Sequence, residues 1–173
     1  MSAHDPRDLV VVALSGVQRF ITESRTTVDL RSASQIVAHL AVEAVRHLHG
    51  THGARIVFPS LNDGRVRGVD DGMPNRIVAL IPEGQGAKAA SATKERLVEV
   101  WEGWVAEVFG QPMHAIPGWP VVQWVSVPAE VGPYPVQWSR AQRALAERKT
   151  VRDFAQPWDA PEGLCTLSPR WRA

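Results

Sequence analysis

The side chains best placed for chemistry near the start of the chain lie in SGVQRFITESRTTVDLRSAS, residues 15–34, which mixes hydroxyl, guanidinium and amide groups directly after an apolar run. A glycine between a buried strand and a helix, here Gly16, lets backbone amides approach an anion, and a helix start favours negative charge. The spacing is neither G-x-G-x-x-G nor G-x-x-x-x-G-K-[ST], so on local evidence alone a plain tight turn with Gln18 at the surface is the favoured reading. Asp70 and Asp71 offer a second chemistry, since paired carboxylates suit a divalent cation. The strand that would complete such a site, LVVVALS, carries no carboxylate at its C-terminal end, so two solvated turn aspartates are the favoured reading.

Four other groupings are weaker. His4-Asp5 stands just before a strand, without the further His and Asp residues that a metal phosphohydrolase needs. His39, His47, His49 and His52 lack metal-ligand spacing, and histidines near a helix C-terminus are explained by the helix dipole. Cys165 with Ser168 resembles half of a zinc knuckle, but a single cysteine makes no structural zinc site. Arg140, Arg143, Arg148, Lys149 and Arg152, with Trp138 beside them, read either as a solvated helix face or as a surface contacting phosphates or a partner.

Hydrophobic periodicity supplies the elements that must position these groups. Leu9–Leu14 is a β-branched run that reads as a strand buried on both faces, broken by Gly16. From Val17 the pattern turns helical. Ile36, Leu40, Ala44 and Leu48 form a stripe, and Gly50 and Gly53 bracket its stop. Arg55–Leu61 is a second strand with Pro59 marking an edge or an end, and residues 62–74 read as a long hairpin tip. Asn75–Ile81 is a third strand. A second helix follows, with Leu97, Trp101, Val105 and Val108 on one face and Trp104 beside them. Val121–Val127 is a fourth strand, and Val136–Lys149 a further helix leading into a loop-rich tail. The order β-α-β-β-α-β predicts an α+β, ferredoxin-like sheet with its two helices on one face. The expected organisation is a first domain over residues 1–130, with a helix and linker over 131–173.

Composition narrows the classes. The chain of 173 residues is 45% hydrophobic and 21% charged, so it can bury a core. A net charge of +1 gives no global steering toward nucleic acid, although a local basic patch can still act. One cysteine excludes an internal disulfide framework, and the polar start MSAHDPRD is no signal peptide, so the expected location is the cytoplasm. Seven tryptophans against one tyrosine suit core packing first, with base stacking or subunit contacts as alternatives.

The order of the segments is more specific than any one of them. GVQRFITESRTTVDLRSAS, IVFPSL, PNRIVALIP, a Trp-bearing helix, RAQRALAERKTVRDF and GLCTLS together resemble the first palm domain of the large subunit of type III-B CRISPR RNA-guided effector complexes, a domain similar to nucleotidyl cyclases. The likeness runs from about Leu9 to Ser168. It implies that the turn and helix start face a nucleotide pocket formed between two palm domains. Gly16, Val17, Gln18 and Phe20 match the turn motif, with Ser15 adding a hydroxyl. Ser32 and Ser34 match a hydroxyl-bearing segment, and Asn75 and Arg76 match the Pro-Asn-Arg strand entry. Arg31 and Ala33 depart from the Trp and Gly often found at those positions.

The resemblance further implies a whole subunit that joins ATP, with Mg or Mn, into cyclic oligoadenylate on carboxylates of a second palm domain absent here. The natural protein is then expected to be longer, and this piece to be non-catalytic alone. Its expected partners are the other subunits of the effector complex, above all the one that holds the guide-RNA 5′ end, with guide and target RNA met indirectly and no membrane. Trp138 and the basic helix are the expected partner or RNA contact. Two further readings stay open: a self-sufficient cyclase or nucleotidyltransferase using Asp70 and Asp71, and a purely structural docking domain.

Overall fold

A computed structural model describes residues 6–22, 24, 26–61, 65–66, 68–110 and 119–150. Strand β1 spans Arg7–Ser15, and the short helix α1, Val17–Thr22, follows it directly. Helix α2 is Thr27–His52, β2 is Arg55–Phe58, β3 is Arg76–Pro82 and α3 is Gly86–Phe109. Strand β4, Val121–Val127, and α4, Tyr134–Thr150, complete the described chain. The sheet order is β2-β3-β1-β4, and every pairing is antiparallel. This is the topology expected of a ferredoxin-like palm.

β1 is the centre because its sequence cannot be anywhere else. Every residue from Asp8 to Leu14 is buried, and successive side chains of a strand point to opposite faces, so both faces must be covered. Val10, Val12 and Leu14 enter one core with Val37, Leu40, Ala41, Ala44 and Leu48 of α2 and Ala89, Ala90 and Leu97 of α3. Leu9, Val11 and Ala13 enter a second core with Val78, Leu80, Val125 and Val127, closed by Ala141 and Leu145 of α4. Full burial of each Leu or Val stabilises by about 1.5–3 kcal/mol, so this strand anchors the fold. The C-terminal helix is therefore the lid on the sheet's second face.

Local chemistry sets the element ends. Thr26 caps α2 reciprocally, its Oγ1 accepting from Asp29 N at 3.1 Å while Asp29 Oδ2 accepts from Thr26 N at 3.1 Å. At the other end Gly53 takes φ 60°, and Ala54 N donates to Leu48 O at 3.1 Å. Helix α2 thus runs through Gly50, which the sequence pattern had taken as part of its stop. β2 ends at Phe58, short of the expected Leu61, because Pro59 has no N–H for the ladder. α3 has no side-chain cap of its own at Gln85; a buried carboxylate of β1, Asp8, accepts from Gly86 N at 2.9 Å instead.

One packing expectation fails. Val108 is 76% exposed, not on the buried face of α3, since the last turn of the helix projects past the core formed by Leu97 and Val105. The tail with Arg152, Cys165 and Ser168 lies outside the described residues, as do His4 and Asp5.

Candidate functional site

Of the residues nominated from sequence, Ser15, Gly16, Val17, Phe20, Asn75 and Arg76 lie at one end of the sheet, where β1 finishes and β3 and β4 begin. Gly16 makes the exit turn at φ +72°, a conformation side-chain-bearing residues rarely adopt. Phe20 N donates to Gly16 O at 3.0 Å, starting α1 at once. The first amides of such a helix have no acceptor inside it. Asn75 closes the ladder beside this turn: its carbonyl accepts from Leu14 N at 2.8 Å, and its Nδ2 donates to Leu14 O at 3.2 Å.

The nominated side chains divide between the two faces of that end. Phe20 and Val17 pack on the helix-layer core. Phe20 stacks on Trp119 with ring centroids 4.2 Å apart and planes 5° apart, and Trp101 stands edge-on to both. Its ring is thereby committed to holding α1 down. Ser15 and Arg76 fall on the opposite face, under α4. Arg76 and Gln123 lie directly across from Ala13 on either side, and Ser15 is one step further along the same face. Ser15 Oγ donates to Gln123 Oε1 at 2.8 Å, and Arg76 Nη1 donates to Gln142 Oε1 of α4 at 3.1 Å. Gln18, Ser32 and Ser34 are exposed, the last two in the first turns of α2.

Helix α4 carries the nominated partner contacts with mixed orientations. Arg140, Arg143 and Lys149 are exposed. Trp138 packs against the sheet-side core and lies 6.3 Å from the Tyr134 ring, nearly parallel to it. Arg148 is not simply a solvated cation: its guanidinium sits 5.4 Å from the centre of the Trp124 ring. Trp124 packs on the helix-layer core, so Arg148 reaches it around the free edge of β4.

An apolar groove of about 430 Å³ opens beside the same end, lined by Ile36 and His39 of α2 and by Trp101, Trp104, Val105, Val108 and Phe109 of α3. Val28 and Leu30, at the start of α2, are exposed as well. Asp70 lies exposed in a short 3₁₀ turn, Val69–Asp71, before β3. The β1 carboxylate, Asp8, sits at the opposite end of the sheet, paired with Ile81, and already accepts two backbone amides.

Two histidines of α2, His47 and His49, have hydrogen-bond partners, whereas His52 Nε2 is buried without one among the described residues. Thr93 Oγ1 donates its only proton to Ala89 O at 2.8 Å, so His47 Nδ1, 3.0 Å away, must be the donor in that pair. Burial first, then His52 and Arg96, hold the His47 pKa below its usual value, against the opposing pull of Glu43 and Glu99. His49 Nδ1 donates to Ala54 O at 3.0 Å, tying off the helix end.

Sequence reasoning missed Gln123 and Gln142, which hold Ser15 and Arg76, and Trp119, which pins Phe20. The signal for Gln123 was present: in VVQWVSV it alternates with Val121, Val125 and Val127 on what is otherwise an apolar face. The family model described as "CRISPR-associated protein Cmr2, N-terminal" matches residues 9–106, more than half of the chain. No curated protein matches it.

Proposed function

This chain belongs to the family of the Cmr2 N-terminal region, from the large subunit of type III-B CRISPR complexes, and on that premise we propose that it forms the non-catalytic half of a composite ATP pocket. A second palm domain would supply the catalytic carboxylates and the Mg or Mn ions for cyclic oligoadenylate synthesis. Here, the backbone turn at Gly16 presents amides to the nucleotide phosphates, with Ser15, Asn75 and Arg76 around it. The observation that carries this reading is the left-handed Gly16 turn between the fully buried β1 and α1, at the one sheet end where these polar groups gather. Preorganised amides and a guanidinium stabilise phosphate charge without reorganisation. Exposed Arg140, Arg143 and Lys149 on α4 supply the face for a neighbouring subunit, the guide-RNA 5′-end holder being the favoured one, or for its RNA.

Calorimetric titration of ATP into the chain, with and without Mg²⁺, tests the pocket. Saturating heat that disappears in Gly16→Val supports it, because a β-branched residue is strained at φ +72°. The chain alone should make no cyclic oligoadenylate, and product from pure material would overturn the half-site assignment. A second reading, a docking domain without nucleotide, is favoured by the internal engagement of Ser15, Phe20 and Arg76. Silence up to millimolar ATP supports it.

A further inference from the structure

Ser15 and Arg76 are two donors of the proposed half-site on the face that α4 covers: Ser15 is held by Gln123 of β4, which α4 holds in turn, and Arg76 by Gln142 of α4 itself. The serine hydroxyl has one proton, and it goes to Gln123 Oε1 at 2.8 Å. What Ser15 then shows a ligand is lone pairs, which repel phosphate oxygens. Gln123 is held in turn, its Nε2 donating to Arg148 O of the last turns of α4 at 3.3 Å. Arg76 gives Nη1 to Gln142 Oε1, also on α4, at 3.1 Å. Arg148 adds a third hold by stacking on Trp124.

The two halves of α4 are attached with different quality. The N-terminal half is anchored by buried Gln137, whose two Nε2 protons go to the carbonyls of Arg7 at 2.9 Å and Pro128 at 3.1 Å, with Val127 O sharing one of them at 3.4 Å. The C-terminal half holds Gln142 Nε2 buried with no hydrogen-bond partner, which costs free energy as long as the helix stays down. Past Leu145 every residue from Ala146 to Thr150 is exposed. A segment with few buried contacts and an unsatisfied donor is drawn from the low-stability end of a fold.

The geometry points to an inhibitory clamp: the C-terminal half of α4 holds Gln123 against the Ser15 hydroxyl and Gln142 against one of the five N–H groups of Arg76, and its displacement lets both glutamines turn away, so that the serine proton and the direction of the guanidinium become free for the phosphates. This rests on the ATP half-site reading and adds its regulation. Gln123 and Gln142 are positioning residues of the closed state, and whatever binds the last turns of α4 shifts the site's affinity, and the reverse. Nucleotide binding in turn must loosen those turns.

The test uses the 173-residue chain with ATP and inorganic tripolyphosphate as probes. Gln123→Leu and Gln142→Leu each remove one hold without touching Ser15 or Arg76, and Gln142→Leu also removes an unsatisfied donor, so folding is retained. Each variant should bind both probes roughly fivefold more tightly, the equivalent of one net hydrogen bond no longer broken on binding. Unchanged or weaker binding in the variants, with wild type binding ATP, overturns the clamp and leaves the half-site standing. No binding by any of the three proteins overturns both. Amide exchange gives an independent reading on the unaltered chain. Saturating ATP should speed exchange over residues 142–150 and leave 137–141 protected. No change in 142–150 at saturation refutes the clamp.

Discussion

The two ends of β1 are built to opposite plans. At its start, Asp8 is 3% exposed and accepts from Gly86 N at 2.9 Å and Ala129 N at 3.0 Å, so one carboxylate joins the central strand, the head of α3 and the chain after β4. Gln137 closes the same corner from α4. At its finish, a glycine turn leads into a six-residue helix, polar side chains share single hydrogen bonds, and large apolar side chains stand in solvent. Stability is concentrated where nothing is expected to bind. The freedom to rearrange is kept where the partner domain and nucleotide are proposed to meet.

Substitutions can break that contrast. The largest loss should come from Asp8→Ala, which leaves two amides without their acceptor: about 3 kcal/mol in urea denaturation, since hydrogen bonds to charged groups each contribute about 1.5–3 kcal/mol. A loss below about 1 kcal/mol would remove Asp8 as the anchor. Next is Gly86→Ala. An added Cβ would lie 2.7 Å from Asp8 Cβ and closer still to Ser126 Oγ, so overpacking of about 1–3 kcal/mol is expected in the same assay. At the open end Val108→Ser should change stability by less than about 0.5 kcal/mol, because the side chain is 76% exposed. A large loss there would show that the groove contributes to the core.

The smallest expected effect is with pH. The folded-state pKa of His47 lies below its ordinary 6.5, so below pH 6.5 the unfolded chain binds the proton first. Stability should therefore fall as pH drops through 6.5, and level off once the pH is below the folded value. Glu43, Glu99, Arg96 and His52 face the ring and modulate the window. His47→Gln should flatten this part of the profile in thermal melts, and an unaltered slope would assign it to another group.

The fold was legible because its signals are strong and local. Six apolar residues in a row gave the central strand, α2 carries a regular stripe, and Gly53 and Pro59 mark ends by their own stereochemistry. The burial of β1 on both faces even required a second cover, which α4 supplies. The site was legible only as a set of positions. Gly16, Ser15, Asn75 and Arg76 do meet at one end, but strand alternation alone could not say that Phe20 would turn into the aromatic stack. Nor could it show that Ser15 and Arg76 would be claimed by glutamines 108 and 66 residues away. Val108 was misread because a helix pattern does not record where the core beneath it stops.

The position of β1 also has a consequence for synthesis. Of the four strands of this sheet, the one made first is the one that pairs on both sides and must wait for both neighbours: β3 begins at Arg76 and β4 at Val121. A six-residue apolar segment, Leu9–Leu14, thus leaves the ribosome unpaired and stays so until at least Pro82 has been added. At translation speeds of about 5–20 residues per second that interval is roughly 3–13 s. Such a segment combines high strand propensity with no charge, the profile of an aggregation-prone stretch. The nascent domain is thus most in need of chaperone cover during that interval, before β3 is complete.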